Sequence, residues 1–415
     1  MATVHPFRGL RPNPAHAEQV ATLPYDVIDS EEARELSKDN PYSFWHVNKP
    51  EIDLPRGIDL YDEAVYRKGA ENFARFRREN ILLQDLEPSF YLYQQVMGEH
   101  VQTGYVACVS VDEYWAGTIK KHEHTRPEKV NDRVRLMEAL NAQTGPVFLA
   151  YRQSDAMAKL TAMLLDKSLL TNDFVSFYGV RHRFFKIDHP PFYEAIRSAF
   201  AALPALYIAD GHHRSEGAAA LCLKKRRELG DFTGKEEFNF FLAVIFPHSD
   251  LQIMPYNRFL KDLHGHSPEA FLRSLEAIFD IQVSGEHFFG VKAPRQFGMY
   301  LNGVWRLLSA KKEVTQTDDV FDRLDVSILQ HHVLRPLLGI DDPRTVKRIN
   351  FIGGIRGDQE LRRLVDDGSH AVAFSLYPTR MEEVMDVADA GKVMPPKSTW
   401  FEPKLLSGLV THLID

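Results

Sequence analysis

The chain has 415 residues, of which 44% are hydrophobic and 26% are charged, and its formal net charge is -7. This length and composition exclude a largely disordered chain and leave room for two or three domains, each with its own core. Its longest apolar runs have the length of a strand, far short of the roughly 20 residues that span a bilayer. The acidic balance argues against general nucleic-acid binding, which depends on a basic surface. We therefore predict a folded protein that has no membrane helix and does not bind nucleic acid.

The N-terminal residues contain no apolar segment of the kind that directs secretion, so we expect a cytoplasmic protein. Two cysteines, Cys108 and Cys222, cannot form a disulfide framework or a metal site of several thiolates. Both lie in apolar surroundings and are interpreted as core residues.

Helical and strand patterns mix along the whole chain, which favours an α+β or α/β architecture. The predicted elements of the first half, in chain order, are a helix with Ser30 as its N-cap, an amphipathic helix over 61–80, a hairpin of strands 90–97 and 105–111, a helix over 130–141, a strand over 146–151, a helix over 192–202, a strand over 205–209 and a helix over 212–229. Basic residues in its last turns and Gly230 behind it mark the end of that last helix.

A domain boundary is predicted where Gly265 and Pro268 interrupt the pattern, giving a first domain over 1–265 and a C-terminal α/β domain over 266–415. The elements predicted for the second domain are a helix over 269–279, strands over 297–301 and 304–308, a helix over 326–337, a strand over 349–352, a helix over 359–366 and a strand over 371–376. We expect the tail of this domain to complete the functional site.

The strongest functional signal is the segment 209–214, Ala-Asp-Gly-His-His-Arg, which joins a predicted strand to a predicted helix. Backbone N–H groups at a helix start attract a phosphate, and Gly211 lets the backbone approach it closely. Arg214 can add two parallel hydrogen bonds, and the two histidines can bind or transfer a proton. Asp210 could hold a metal or orient a histidine. The alternative interpretation is a capped turn with surface histidines.

A second polar cluster follows a predicted strand at residues 120–127 and continues at 131–133. His122 and His124 would share one face of an extended segment, an arrangement that a metal ion can use. No further ligand follows at a recognisable spacing, so we assign no metal ligand. We favour a substrate or phosphate loop over a plain charged surface. The residues that it offers are His122, Glu123, Thr125 and Arg126.

Three further segments combine polar groups with a rigid backbone. In the first, 23–28, apolar neighbours could bury Asp26 in part and raise its pKa toward that of a general base; an aspartate that fixes a turn fits the pattern equally well. The second, 253–258, supplies Asn257 and Arg258. The third, 394–404, is either a phosphate- or base-binding segment or a tail that packs onto the core. Its candidate binding residues are Lys397, Ser398, Thr399 and Trp400.

The chain lacks the common nucleotide and nucleophile signatures, including a P-loop, a Rossmann fingerprint and a nucleophile elbow. Six motifs in one order instead resemble the bacterial family known as domain of unknown function 1015. They lie at 5–11, 24–28, 122–125, 209–214, 255–258 and 394–401. The Asp-Gly-His-His-Arg turn is also similar to the phosphate-binding turn of the ParB/sulfiredoxin-like fold. The resemblance implies an α+β fold with a ParB/sulfiredoxin-like core elaborated by additional strands and helices.

Proteins of that fold include free L-serine kinases, sulfiredoxin and nucleotide-binding ParB proteins. Sulfiredoxin needs a cysteine in the turn, which this chain lacks, and the acidic composition does not fit the basic DNA-binding region of ParB proteins. The resemblance therefore implies a nucleotide-dependent kinase that phosphorylates a small hydroxyl compound. It implies free L-serine as the favoured substrate, ATP or ADP as the nucleotide and Mg²⁺ as the metal.

The resemblance also gives the candidate residues their roles. The residues expected to hold the phosphates are Gly211, His213, Arg214, Asn257 and Arg258. Asp26 is expected to accept the proton of the substrate hydroxyl, an assignment made from its position, while Asp210 and His212 stabilise the transferring group. Replacing Arg214 with alanine should weaken ligand binding and leave folding nearly intact. The alternatives are a noncatalytic nucleotide-binding regulator of the ParB type and a phosphate-ester hydrolase, and a homodimer is left open.

Overall fold

We analysed a computed structural model that describes residues 2–285, 288, 290–353 and 357–415. The helices are α1 (Ala17–Val20), α2 (Ser30–Ser37), α3 (Trp45–Asn48), α4 (Glu63–Arg78), α5 (Val111–Trp115), α6 (Pro127–Leu140), α7 (Asp155–Lys167), α8 (Pro191–Ala201), α9 (His212–Leu229), α10 (Pro268–Leu275), α11 (Lys312–Thr315), α12 (Asp325–Leu329), α13 (Gly357–Asp366) and α14 (Met381–Asp389). The strands are β1 (Val4–His5), β2 (Leu10–Pro12), β3 (Leu82–Gln84), β4 (Phe90–Met97), β5 (His100–Ser110), β6 (Ile119–Lys120), β7 (Ala142–Gln143), β8 (Val147–Tyr151), β9 (Leu169–Val175), β10 (Arg181–Ile187), β11 (Leu206–Asp210), β12 (Phe240–Pro247), β13 (Gln252–Met254), β14 (Tyr256–Leu260), β15 (Phe279–Gly285), β16 (Gln296–Leu301), β17 (Val304–Ala310), β18 (Ile349–Gly353), β19 (Val372–Leu376), β20 (Trp400–Glu402) and β21 (His412–Leu413). The predicted α+β class is confirmed.

The chain forms two compact units, one made of Met1–Leu251 with Pro403–Asp415 and the other of Gln252–Glu402. These units differ from the predicted division at residue 265. Gly265 lies between strand β14 and helix α10, and Pro268 is the first residue of α10, so the break in the sequence pattern is a connection inside the second unit. The C-terminal residues return to the first unit, where β21 pairs with β7.

A mixed nine-stranded sheet forms the centre of the first unit, in the order β6-β11-β8-β12-β5-β4-β10-β9, with β1 added alongside β5. The pairs β6–β11 and β8–β12 are parallel, and the other pairs are antiparallel. Strands β8 and β12 are almost continuously apolar, as strands covered on both faces must be. They place a large hydrophobic core against helices α7, α8 and α9.

Most predicted elements of the first unit are confirmed, with ends that differ by a few residues. The hairpin of β4 and β5, the strand β8 and the helices α4, α6, α8 and α9 all lie where the patterns indicated. Gly230 ends α9 with a φ of 77°. The cap of α2 is Asp29 instead of Ser30, because the Asp29 side chain accepts the Glu32 N–H at 2.8 Å. Cys108 and Cys222 are free, buried thiols, as expected.

The second unit contains a six-stranded antiparallel sheet in the order β15-β17-β16-β19-β14-β18. Its aromatic core includes Phe259, Tyr300 and Trp305, which pack with Leu361 of α13. The helix predicted over 326–337 is shorter and irregular, because α12 continues as a π-helix over Gln330–Leu334. Among the described residues, no helix combines the length and the apolar character needed to cross a membrane.

One buried histidine of the first unit gives the fold a predicted pH dependence. His182 of β10 is 2% exposed, and its Nδ1 lies 2.6 Å from the Tyr93 hydroxyl. Burial lowers the pKa of His182 to about 3. An unfolded histidine titrates near pH 6.5, so between these values the unfolded chain binds more protons, and the free energy of unfolding falls with falling pH.

The His182→Asn variant should therefore depend less on pH than the wild type. A single buried histidine of this kind contributes a loss of about 2 kcal/mol between pH 7 and pH 5. Urea unfolding at the two pH values measures this loss. All other histidines are present in both proteins, so the comparison isolates His182. Equal losses in wild type and variant would contradict the assignment.

Candidate functional site

The candidate site in the first unit forms where two parallel strands end beside each other. Leu206 of β11 lies opposite Ile119 of β6. Because parallel strands end at the same side of a sheet, the loop 121–126 and the turn after β11 emerge together. The two strongest polar motifs of the sequence are thereby brought into contact. The pairing was not predicted, since β6 is only two residues long.

Gly211 makes the turn from β11 into α9 and is the N-cap of this helix. Its φ of +95° is in the left-handed region that favours glycine. A Cβ added at this position would lie 3.0 Å from Arg214 Nε, so a side chain would press on the guanidinium. No side chain caps the start of α9 in the described part of the protein. The turn therefore has the uncapped, closely approachable backbone that the sequence predicted.

Asp210 is an anchor for two cations. Its Oδ1 accepts the Gly211 N–H at 2.8 Å, while Oδ2 lies 3.7 Å from Arg214 Nη2 and 3.7 Å from Lys404 Nζ. Burial would raise the pKa of the Asp210 carboxyl, but Lys404 and Arg214 outweigh this effect and hold the pKa well below its usual range. Asp210 is therefore ionised at neutral pH and unsuited to donating a proton.

Arg214 is buried, with 9% of its surface exposed. Its Nη1 donates to the Pro146 carbonyl. Its Nε is buried and has no hydrogen-bond partner within the described ranges. Part of the guanidinium is therefore committed to the fold, and Nε retains an unused donor. The free bidentate fork expected from the sequence is not what this structure presents.

His212 contacts His122 of the loop at the end of β6. The ring centroids are 4.5 Å apart and the rings are edge-on, and His212 Nε2 lies 3.5 Å from the His122 N–H. Burial lowers the pKa of His122 to about 4, and burial together with His122 lowers the pKa of His212. Both imidazoles are thus neutral at pH 7. His212 can donate or accept a hydrogen bond there but does not carry a positive charge.

Glu123 lies close to these two histidines, whereas His124 does not belong to the cluster. Glu123 Oε2 lies 3.8 Å from His212 Nδ1. His122 is 2% exposed, whereas His124 is exposed to solvent. The expectation that His122 and His124 share one face is wrong, because the loop at 121–126 turns instead of running as a strand. The histidine that His122 contacts is His212, and the sequence signal that pointed to it was the pair of histidines after β11.

His213 lies on the side of the turn that faces Arg126 and Asp26. Its Nε2 accepts the Arg126 N–H at 3.1 Å. Burial lowers the pKa of His213, and the Asp26 carboxylate opposes this shift. Asp26 is exposed in the turn 25–27, so the expected partial burial of its carboxyl is wrong. It nevertheless belongs to the electrostatic surroundings of His213, while Thr125 is half-buried beside Arg126.

Arg133 of α6 is a site residue to which the sequence reasoning gave no role. Its guanidinium stacks on the Tyr25 ring, 3.6 Å from the centroid, and its Nη2 lies 2.6 Å from Asp132 Oδ2. Asp132 is fixed in turn by the Tyr66 hydroxyl at 2.9 Å. The sequence signal for this residue was the Asp132-Arg133 pair among the apolar positions of an amphipathic helix, since charged residues are seldom buried unless they are paired.

Arg133 and Arg214 both line an open cavity. Its other lining residues also belong to the first unit and include Tyr25, Thr144 and Ser407. Two largely buried cations in its wall are suited to an anionic ligand.

The other predicted site residues belong to the second unit. The Asn257 amide oxygen accepts the Leu376 N–H at 3.1 Å. Arg258 is 3% exposed and donates to the Tyr256 and Lys397 carbonyls, and burial lowers its pKa to about 10. These contacts give Asn257 and Arg258 clear roles in the packing of the second unit.

The segment 397–400 likewise makes contacts inside the second unit. Lys397 Nζ lies 5.3 Å from the centre of the Tyr256 ring, and Trp400 packs edge-on against the same ring at 5.2 Å. The Ser398 hydroxyl donates to the Pro395 carbonyl at 2.5 Å, and Thr399 is half-buried. Binding roles for these four residues stay predictions.

The family described as protein of unknown function (DUF1015) matches residues 4–327. The chain belongs to this family. The resemblance drawn from its motifs is thereby confirmed. A comparison of this DUF1015 chain with curated proteins finds no match.

Several solved structures are similar to this DUF1015 protein at low identity. A conserved hypothetical protein from Pyrococcus furiosus is 15% identical, with a TM-score of 0.35 over 74% of this chain and 95% of that one. A free serine kinase in complex with AMP is 15% identical, with a TM-score of 0.34 over 71% and 86% of the two chains. SbnI with a C-terminal truncation from Staphylococcus aureus is 12% identical, with a TM-score of 0.38 over 74% and 86%. At these values the likenesses say nothing about the activity of this chain.

Proposed function

We propose that the protein is a nucleotide-dependent kinase that transfers a phosphoryl group to a small hydroxyl compound, with free L-serine as the favoured acceptor. Two features of the turn carry this proposal. The start of α9 has no side-chain cap, and the Nε of buried Arg214 has no hydrogen-bond partner in the described chain. A helix start and an unused guanidinium N–H both favour a phosphate oxygen as their ligand.

Positive charge around the turn supports the binding of several phosphates. Lys404 is 10% exposed and pairs with Asp210, and Arg133 lines the same cavity as Arg214. Phosphoryl transfer depends mainly on positioning and on neutralising charge, so a covalent nucleophile is not required. In this proposal Gly211, His213 and Arg214 hold the phosphates of ATP or ADP, and His212 helps to stabilise the transferring group.

Asp26 is the proposed base. It is exposed, so a substrate hydroxyl can reach it, and its interaction with His213 connects it to the phosphate turn. His122, Glu123, Thr125 and Arg126 of the neighbouring loop are proposed to contact the acceptor. The choice of L-serine rests on the resemblance of the turn to that of free serine kinases. We also propose that the protein acts in the cytoplasm, where these nucleotides are available.

Mg²⁺ is expected with the nucleotide, but the turn itself offers it a poor site. Mg²⁺ takes oxygen ligands, and the carboxylate of the turn, Asp210, is already occupied by two cations. The adjoining His122 and His212 supply nitrogen, which Mg²⁺ does not prefer. We therefore assign no protein ligand to Mg²⁺ and no step to it.

Incubation of the purified protein with ATP or ADP, Mg²⁺ and a panel of hydroxyl compounds tests the proposal. We expect phosphoserine from L-serine, detected by mass spectrometry, and matching consumption of nucleotide. No phosphorylated product from any acceptor would contradict the kinase. Nucleotide binding without turnover would then favour a regulator, whereas phosphate release without an acceptor would indicate a hydrolase.

A further inference from the structure

We propose that His122, Glu123 and His212 bind a divalent transition-metal ion, such as Zn²⁺, beside the start of α9. Each residue offers one ligand atom, and the three atoms lie within 4.8 Å of one another. Two imidazoles and one carboxylate form a donor set used by Zn²⁺ and related ions. The site goes beyond the proposed kinase activity, because it does not require a nucleotide.

The spacing of the ligand atoms is close to that of a metal site. Glu123 Oε2 and His212 Nδ1 are 3.8 Å apart. Around a tetrahedral Zn²⁺, with bonds of about 2.1 Å, neighbouring ligand atoms lie roughly 3.4 Å apart. Small rotations of the side chains therefore suffice to close the three ligands around an ion. Glu123 is partly exposed, at 45%, so its carboxylate has room for this movement.

A buried nitrogen of His122 supports the metal site independently of the spacing of the three ligand atoms. Its Nδ1 is buried and lacks a hydrogen-bond partner among the residues that the structure describes, although the side chain is 2% exposed. The imidazole is hydrogen-bonded to the backbone of Ile208. A metal-bound histidine typically uses one nitrogen for the metal and donates the other N–H to a carbonyl or carboxylate. His122 has both features of this arrangement, a bond to the backbone and a buried Nδ1 without a partner among the described residues.

The chain topology explains why the three ligands converge. His122 and Glu123 follow β6, and His212 follows β11, the parallel neighbour of β6. Three protein ligands leave at least one coordination position for water or for a phosphate oxygen. Since His212 directly follows Gly211, an ion here would add positive charge next to the proposed phosphate turn.

The test uses the full-length protein, stripped of metal with a chelator and titrated with Zn²⁺ in a calorimeter. We expect saturable binding of about one ion per chain. Glu123→Gln removes a charged ligand and should weaken binding at least tenfold, an effect of about 1.4 kcal/mol. Glu128→Gln, at an exposed glutamate of α6, and His124→Ala, at an exposed histidine of the same loop, are matched controls that should bind as the wild type does.

Co²⁺ provides a second measurement, because its visible absorption reports whether imidazole nitrogens replace water as ligands. The wild type should give a protein-bound Co²⁺ spectrum that Zn²⁺ abolishes. The proposal is overturned if the wild type binds neither ion saturably. It is also overturned if Glu123→Gln binds as tightly as the wild type, or if both control variants lose binding equally. None of these measurements contains nucleotide, so they are independent of the kinase assay.

Discussion

The Arg214→Ala variant should lose most of its affinity for nucleotide and should also unfold more easily than the wild type. The affinity loss follows from removing a charge-assisted contact to phosphate and should reach about 30-fold to 100-fold. The stability loss follows from the burial of Arg214, which donates to the Pro146 carbonyl and lies 3.7 Å from Asp210. We expect a decrease in the free energy of unfolding of about 2 kcal/mol. This expectation revises the earlier one that folding would be nearly intact.

Two further variants separate binding from stability. Arg214→Lys keeps the charge but loses Nε and the planar fork, so it should restore part of the stability and little of the affinity. Arg227→Ala removes the same charge from an exposed position near the end of α9, and neither quantity should change. Urea unfolding and calorimetric titration with ADP give the two readouts. Wild-type affinity in Arg214→Ala would show that the turn does not hold phosphate.

The Asp26→Asn variant should lower the rate of phosphoryl transfer about 100-fold to 10,000-fold, the usual contribution of a general base. Asn is nearly the same size as Asp, and the side chain is exposed, so the fold should be unchanged. Nucleotide affinity should also change little, because the proposed role of Asp26 concerns the acceptor. The measurement is the single-turnover rate with ATP or ADP and L-serine.

Asp39→Asn is the matched control, since Asp39 is an exposed aspartate in the same N-terminal region. It should transfer phosphate at the wild-type rate. If Asp26→Asn transferred phosphate at the wild-type rate, Asp26 would not be the base, and Glu123 would be the next carboxylate to test. An equal loss in both variants would mean that a general change in charge, and not a specific base, is responsible.

Local patterns predicted much of the secondary structure because their signals lie within the elements themselves. The helix α9 shows its start in the Asp-Gly turn and its end in basic residues before Gly230. The hairpin of β4 and β5 is marked by its short polar turn. Short elements such as β7 and β21 gave no such signal, since two residues have no periodicity and form a strand only by pairing with a neighbour.

The sequence predicted the turn at the centre of the candidate site but not the contacts that more distant residues make with it. The turn at 209–214 was identified because glycine and a helix start carry information in the local sequence. The contacts of His122 with His212, of Lys404 with Asp210 and of Arg133 with Tyr25 depend on residues far apart in the chain. Asp26 was expected to be partly buried because its sequence neighbours are apolar, yet those neighbours turn inward and leave it exposed.

The return of residues 403–415 to the first unit has a consequence for synthesis on the ribosome. Lys404 reaches Asp210 only after the whole of Gln252–Glu402 has been translated. The ends of this inserted unit pair with each other, Gln252 with Glu402. The inserted unit can therefore fold before β21, the last strand of the first unit, has been made. A nascent chain that stops before residue 252 therefore holds Asp210 and Arg214 without their lysine, and the contacts of the turn at 209–214 are completed only when residues 403–415 have been made.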